Sequence, residues 1–75
     1  MDVHARFQAT YAAARELSGS LVGLPADEAS RRATEAGFHP EQLGPDVTMI
    51  TLDLRADRIR LFLDHDGIVF EAEAG

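Results

Sequence analysis

The chain has 75 residues, the size of one small domain. It contains no cysteine, which excludes disulfides, thiolate zinc sites and cysteine nucleophiles. Thirteen acidic residues against seven basic ones, all arginine, give a formal charge of −6, which argues against nucleic acid and anionic membranes as partners.

The first predicted element is an amphipathic helix over residues 3–18. Apolar residues recur there at intervals of three and four, which places them on one face of a helix. Asp2 suits the N-cap, and Ser18-Gly19-Ser20 suits the end of the helix. We expect this face to pack on the core, with pairing to a second copy in a homodimer as the alternative. The face consists of Val3, Phe7, Tyr11, Ala14, Leu17 and Leu21.

A second, shorter helix is predicted after Gly23. Pro25 suits its first turn, and the acidic pair Asp27-Glu28 suits the positive end of the helix dipole. Gly37 suits the C-terminal cap. The inward face is thin, because alanine buries much less apolar area than leucine. It consists of Ala29, Ala33 and Ala36.

The C-terminal half is predicted to form β-structure. Residues 38–46 include two prolines and a glycine, which predicts a loop or a weak edge strand. Residues 58–63 alternate between apolar and other side chains, which predicts a strand with one apolar face. A turn over 64–67 follows, and residues 68–70 begin a short last strand.

Neither a catalytic site nor a metal site is predicted. The three histidines lie far apart in sequence, without metal-ligand spacing. Residues 64–67 resemble the start of a calcium loop, but the glycine stands at its fourth position and not its sixth, so a plain turn is favoured. The sequence has no glycine-rich phosphate loop and no serine elbow motif. We therefore expect a protein that is not an enzyme and has no cofactor.

Residues 51–64 combine a threonine, a leucine and an aspartate with three arginines. Thr51-Leu52-Asp53-Leu54-Arg55 is similar to the eglin reactive loop, and residues 58–64 resemble the strand that supports that loop. Leu21-Val22-Gly23, followed by Asp27-Glu28-Ala29, is similar to the start of the family's helix. By these motifs residues 21–75 resemble the potato inhibitor I family of serine protease inhibitors, which includes chymotrypsin inhibitor 2 and the eglins.

The resemblance implies an α+β fold in which a helix packs on a small mixed β-sheet, with an extended reactive-site loop joining two parallel strands. The chain would form one domain, 1–75, with the helix over 3–18 as an extra element. Residues 21–75 would form the inhibitor-like core, with the loop at about 44–57. The implied function is inhibition of a subtilisin- or chymotrypsin-like serine protease.

The resemblance also assigns roles within the loop. Leu52 would enter the primary specificity pocket of the protease, and the bond between Leu52 and Asp53 would be the scissile one. Thr51, Leu52, Asp53 and Leu54 together would form the protease-binding surface. Three arginines would support it: Arg58 and Arg60 by hydrogen bonds to Thr51 and Asp53, and Arg55 beside them.

A loop without disulfides needs another source of rigidity. Residues 58 and 60 are two apart, so on a strand both point from the same face. Charge-assisted hydrogen bonds from their guanidinium groups would contribute roughly 1.5–3 kcal/mol each when shielded from water. The alternative is a solvated arginine face, whose exposed ion pairs would contribute less than about 1 kcal/mol.

A different fold could use the same residues. Ile50, Leu52 and Leu54 alternate with other side chains, and residues 55–58 could form a tight turn. Residues 47–64 would then be a β-hairpin with Leu52 in the core. This alternative describes a non-inhibitory interaction or dimerisation module built on a three-stranded meander.

The start of the chain bears on location. Residues 1–6 contain no apolar signal core, and no stretch approaches the roughly 20 apolar residues of a membrane span. The sequence therefore predicts a cytoplasmic protein, with a secreted mature domain as the alternative.

Overall fold

In a computed structural model, which describes residues 3–47 and 55–75, two helices pack on a small mixed sheet of three strands. The predicted α+β fold class is confirmed. The elements in chain order are α1 (Val3–Leu21), α2 (Ala26–Glu35), β1 (His39–Leu43), β2 (Arg58–Leu63) and β3 (Val69–Ala74).

The central strand of the sheet is β2. It pairs in parallel with β1 and antiparallel with β3, in the order β1-β2-β3. Both hydrogen-bonding edges of β2 are therefore occupied, which leaves no edge for a hairpin partner from residues 47–57. The alternative of a hairpin over 47–64 in a three-stranded meander is wrong.

The edge strand β1 accommodates a proline because of its register. The backbone N–H of His39 donates to the carbonyl of Asp57 at 2.7 Å, so odd-numbered residues of β1 carry the N–H groups that face β2. The nitrogen of Pro40 then faces the outer side, where no ladder donor is needed. The prediction of a weak edge strand in this region is confirmed.

Helix α1 does not end at Ser18-Gly19-Ser20, where we expected it to stop. The hydroxyls of Ser18 and Ser20 donate to the carbonyls of Arg15 (2.8 Å) and Leu17 (2.7 Å), so the serines are satisfied inside the helix. The helix continues to the fully buried Leu21. It gains one more core side chain by doing so.

Helix α2 ends in a Schellman motif. Gly37 adopts φ +90°, and its N–H donates to the carbonyl of Thr34 (3.0 Å). The N–H of Phe38 donates to the carbonyl of Ala33 (2.9 Å). The predicted glycine cap is confirmed, and Ala29 and Ala33 are fully buried. The predicted inward position of Ala36 is wrong, because Ala36 is the C-cap residue and is exposed.

The core lies between the sheet and the two helices. Helix α1 packs mainly on β3, and α2 packs on β1 and β2. The small alanines of both helices bring their backbones close to the large apolar side chains of the sheet. The buried cluster consists of Ala14, Leu21, Ala29, Ala33, Ile59, Leu61, Leu63 and Val69.

The connection between β2 and β3 is the predicted plain turn. A carboxylate oxygen of Asp64 accepts the N–H groups of Asp66 (2.9 Å) and Ile68 (3.0 Å), and Gly67 adopts φ +77°. The Asp64 side chain is thus a turn acceptor. Of the helices that the structure describes, neither combines the length and apolar character needed to span a membrane.

Candidate functional site

The sheet face that points away from the helices carries two arginines. Because side chains alternate along a strand, β2 directs Ile59 and Leu61 to the core, and Arg58 and Arg60 to the opposite face. These arginines are nevertheless only 5% and 8% exposed. The alternative of a solvated arginine face is therefore wrong, and the two guanidinium groups sit in a shielded environment.

Arg58 joins the end of β3 to the beginning of β2. Its Nε donates to the carbonyl oxygen of Gly75 at 2.7 Å, and the N–H of Gly75 donates to the carbonyl of Arg58 at 3.0 Å. The same Nε lies 3.8 Å from a carboxylate oxygen of Glu41. A guanidinium has five N–H donors, so Arg58 can hold Gly75 and a second acceptor at once.

Arg60 shares the Glu41 carboxylate with Arg58. Glu41 and Arg60 are register partners across the parallel pair, and Nε of Arg60 lies 3.9 Å from the same Glu41 oxygen. At these distances the carboxylate is an ionic neighbour and not a hydrogen-bond acceptor of Nε. Burying a cation costs several kcal/mol unless anions and hydrogen-bond acceptors surround it. Hydrogen-bond acceptors placed beside the guanidinium groups of Arg58 and Arg60, in addition to Glu41, would therefore be stabilising.

Sequence reasoning did not single out Glu41 or Gly75. Glu41 has no local signal in the sequence, because its position beside the arginines follows from the parallel register of β1 and β2. The contribution of Gly75 could not be found either, because its contact is made by a backbone carbonyl.

A second charged group stands where the chain enters β2. Nε and one terminal nitrogen of Arg55 donate to the two carboxylate oxygens of Asp57, both at 3.2 Å. Nε2 of His39 lies 3.8 Å from the same carboxylate. The hydrogen bonds from Arg55 hold the pKa of Asp57 below its ordinary value, with a smaller contribution from the charge of His39. This side-chain pair is exposed, so solvent screens it.

The structure separates the predicted support residues into two groups. Arg58 and Arg60 lie together with Glu41 on the shielded face, whereas Arg55 is bound to Asp57 two residues away. The predicted protease-binding residues Thr51, Leu52, Asp53 and Leu54 lie outside the described residues. Within the described part of the chain, no group of three acidic or histidine side chains is placed to hold a metal ion.

Residues 44–57 connect the parallel strands β1 and β2, and the structure describes the two ends of this connection, 44–47 and 55–57. The segment begins at the end of β1 and returns to the start of the parallel strand β2, at the opposite end of the strand pair. A parallel connection is usually made by a helix. Here both described helices precede β1 in the chain, so neither belongs to this connection.

No protein-family model matches the sequence, and a search of curated proteins also found no match. Among solved structures, the fold is similar to a bitter gourd trypsin inhibitor, with a TM-score of 0.65 and 24% identity over 75% of this chain and 85% of that one. It is also similar to the elastase inhibitor AFUEI, with a TM-score of 0.62 and 22% identity over 89% of this chain and 97% of that one. At these identities the likeness concerns the fold.

Proposed function

We propose that this protein inhibits a serine protease by presenting residues 44–57 as a substrate-like loop. The observation that carries the proposal is the pair of buried arginines, Arg58 and Arg60, on the helix-free face of β2. Guanidinium groups shielded from water can fix acceptors in a loop that starts and ends on the same two strands. The solved structures with a similar fold are described as trypsin and elastase inhibitors, which supports this function.

Support of the loop by Arg58 and Arg60, which we call the arginine brace, has the physical advantage of preorganisation. A flexible peptide loses conformational freedom when a protease binds it, whereas a loop already held in an extended shape does not meet that cost. The brace also keeps the two ends of a cleaved bond together, so that they rejoin before they separate. Arginine suits this role better than lysine, because its planar fork fixes the direction of the bond as well as the charge.

We further propose that Leu52 occupies the primary specificity pocket and that Thr51 and Asp53 are the acceptors for Arg60 and Arg58. An apolar side chain at this position favours subtilisin- and chymotrypsin-like proteases, whose primary pockets are apolar. The eglin-like pattern of residues 51–55 and the helix-on-mixed-sheet fold support membership of the potato inhibitor I family, with α1 as an extra element.

The test is a titration of subtilisin and of chymotrypsin with the whole protein. We expect tight inhibition of at least one of them and its loss in Leu52→Gly. Leu52→Arg should transfer inhibition to trypsin. Val22→Ala is a matched control, because Val22 is exposed in the connection between the helices and far from β2 in the sequence. Absence of inhibition at micromolar concentration of the wild-type protein would overturn the proposal.

A homodimer through the N-terminal helix stays a prediction. Phe7 and Tyr11 stack on α1 with ring centroids 6.3 Å apart, and both side chains are half-buried. Burial of their remaining apolar area against a second α1 would stabilise such a dimer. Sedimentation of wild type and of a Phe7→Ser variant tests this point, since a strict monomer contradicts it.

A further inference from the structure

A groove separates the exposed flank of α1 from the outer edge of β3. Helix α1 lies over β3, the strand at the sheet edge opposite β1. The groove has a volume of about 500 Å³. Its helix side is formed by Tyr11, Arg15 and Gly19, and its strand side by Ala72, Glu73 and Ala74.

Along the strand side of this groove, backbone groups of β3 have no ladder partner among the residues that the structure describes. The backbone N–H of Gly75 donates to the carbonyl of Arg58 (3.0 Å), which directs Gly75 towards β2. Glu73, two residues earlier and the register partner of Arg60, points the same way by alternation. The N–H and C=O groups of Ala72 and Ala74 therefore point outwards. Within the described residues the outer edge of β3 is paired only at its beginning, where Val69 exchanges bonds with Gly23 (2.7 Å) and Leu24 (2.9 Å).

The helix side contains a residue that packing does not explain. Gly19 lies inside α1, where glycine is disfavoured relative to alanine. Its φ is not in the left-handed region, and a Cβ built there meets no atom within 4 Å. Neither backbone conformation nor crowding requires glycine here. Its effect is to leave space between the helix and the strand edge.

Among the described residues, the groove itself is lined by one cation, Arg15, and one anion, Glu73, so the charge that selects the occupant is that of the outer face of β3. Glu71 and Glu73 are exposed on the face of β3 that points away from the helices, and the whole chain carries −6. Arg60 is the register partner of Glu73, but Arg60 is buried, so the charge presented outwards is negative. In an added strand, alternate side chains would lie beside these two glutamates.

We propose that this groove binds an extended peptide segment of another protein, which adds to β3 as a fourth strand and carries basic residues at alternate positions. Main-chain bonds to Ala72 and Ala74 hold the strand, and the basic side chains pair with Glu71 and Glu73. The intervening side chains face the cleft beside Tyr11, Arg15 and Ser18, where the absence of a side chain at Gly19 leaves space for small groups. A second copy of β3 is disfavoured as the occupant, because it would bring its own two glutamates against the first pair.

The probe is a blocked eight-residue peptide of alternating lysine and valine, and the control peptide has glutamate in place of lysine. NMR titration of the whole protein should shift the amide signals of Ala72 and Ala74 and slow their hydrogen exchange. The glutamate peptide should not bind. Glu71→Gln and Glu73→Gln should each weaken the lysine peptide by about two- to fivefold and reduce its salt dependence.

The decisive variant is Gly19→Leu, which fills the groove and improves the helix propensity of α1. It should lower the affinity for the lysine peptide at least about tenfold, because the strand then loses several backbone hydrogen bonds. Val22→Leu introduces the same residue type at an exposed position outside the groove, and this control variant should bind the lysine peptide as wild type does.

Three results would each overturn the proposal. The first is that Gly19→Leu binds the lysine peptide as tightly as wild type, and the second is that the glutamate peptide binds as tightly as the lysine peptide. The third is that the amide signals that change on titration belong to residues other than 72–74. Protection of the Ala72 and Ala74 amides by dimerisation alone, in the absence of peptide, would assign the edge to a second copy and overturn it as well. Protease inhibition is a separate readout, since Gly19 lies on α1 and not on the connection between β1 and β2.

Discussion

Replacing Arg60 by methionine distinguishes the proposed role of Arg60 in supporting the loop from its role in the stability of the fold. Methionine keeps most of the aliphatic stem and removes the charge and the donors. Arg60 is 8% exposed, and its ionic neighbour Glu41 keeps 37% of its side-chain surface in water. Glu41 can therefore be solvated when the cation is removed. Removing one partner of an ion pair is strongly destabilising only when the other charge stays buried, so with Glu41 partly in water we expect a small loss in the free energy of unfolding.

Inhibition should change much more than stability. A shielded charge-assisted hydrogen bond contributes about 1.5–3 kcal/mol, and each 1.4 kcal/mol is a tenfold change in an equilibrium constant. If Arg60 fixes the loop, Arg60→Met should raise the inhibition constant about 10- to 150-fold and speed cleavage after Leu52. Arg60→Lys keeps the charge without the planar fork, so its inhibition constant should lie between those of wild type and Arg60→Met.

The assay pairs two measurements on each variant: an inhibition constant against subtilisin and a denaturant midpoint. The prediction is a large change in the first with a small change in the second. A variant Arg60→Met that inhibits as tightly as wild type refutes the bracing argument. Proportional losses in both measurements would assign Arg60 to the fold and not to the loop.

Three further predictions concern the scaffold. Leu61→Ala should lower the free energy of unfolding by about 2–5 kcal/mol in chemical denaturation, because Leu61 is fully buried between sheet and helices. Gly37→Ala should destabilise by about 1 kcal/mol, since φ +90° disfavours a side chain, and a gain in stability would contradict the cap assignment. The lowered pKa of Asp57 means that its stabilising contribution is present above the unfolded pKa and is lost as pH falls through the folded pKa. Acid titration of Asp57→Asn should therefore show a shallower loss of stability below about pH 4 than wild type, and identical curves would contradict it.

The sequence predicted the parts of the fold that depend on local pattern. The alternation in β2 identified both its apolar face and the arginine face, and Gly37 marked the end of α2. The expected stop at Ser18-Gly19-Ser20 failed because serine hydroxyls can bond to carbonyls of the preceding turn, and the burial of Leu21 rewards one more turn of helix.

Features that depend on pairing between distant segments were harder to predict. We expected a short last strand that begins with residues 68–70, and β3 runs from there to Ala74 through residues of low strand propensity. Pairing with β2 outweighs that propensity, and the alternation directs Ala72 and Ala74 to the helices and the glutamates to solvent. The shared ionic contacts of Glu41 likewise follow from the parallel register, which no local pattern contains.

Mass spectrometry of the protein incubated with a catalytic amount of subtilisin tests the central claim most directly. A loop that is held in shape and enters the protease as a substrate should be cut slowly at the single bond between Leu52 and Asp53, with cut and intact forms reaching an equilibrium. Rapid cutting at several bonds between residues 44 and 57, or resistance of the whole segment without inhibition of the protease, would contradict it.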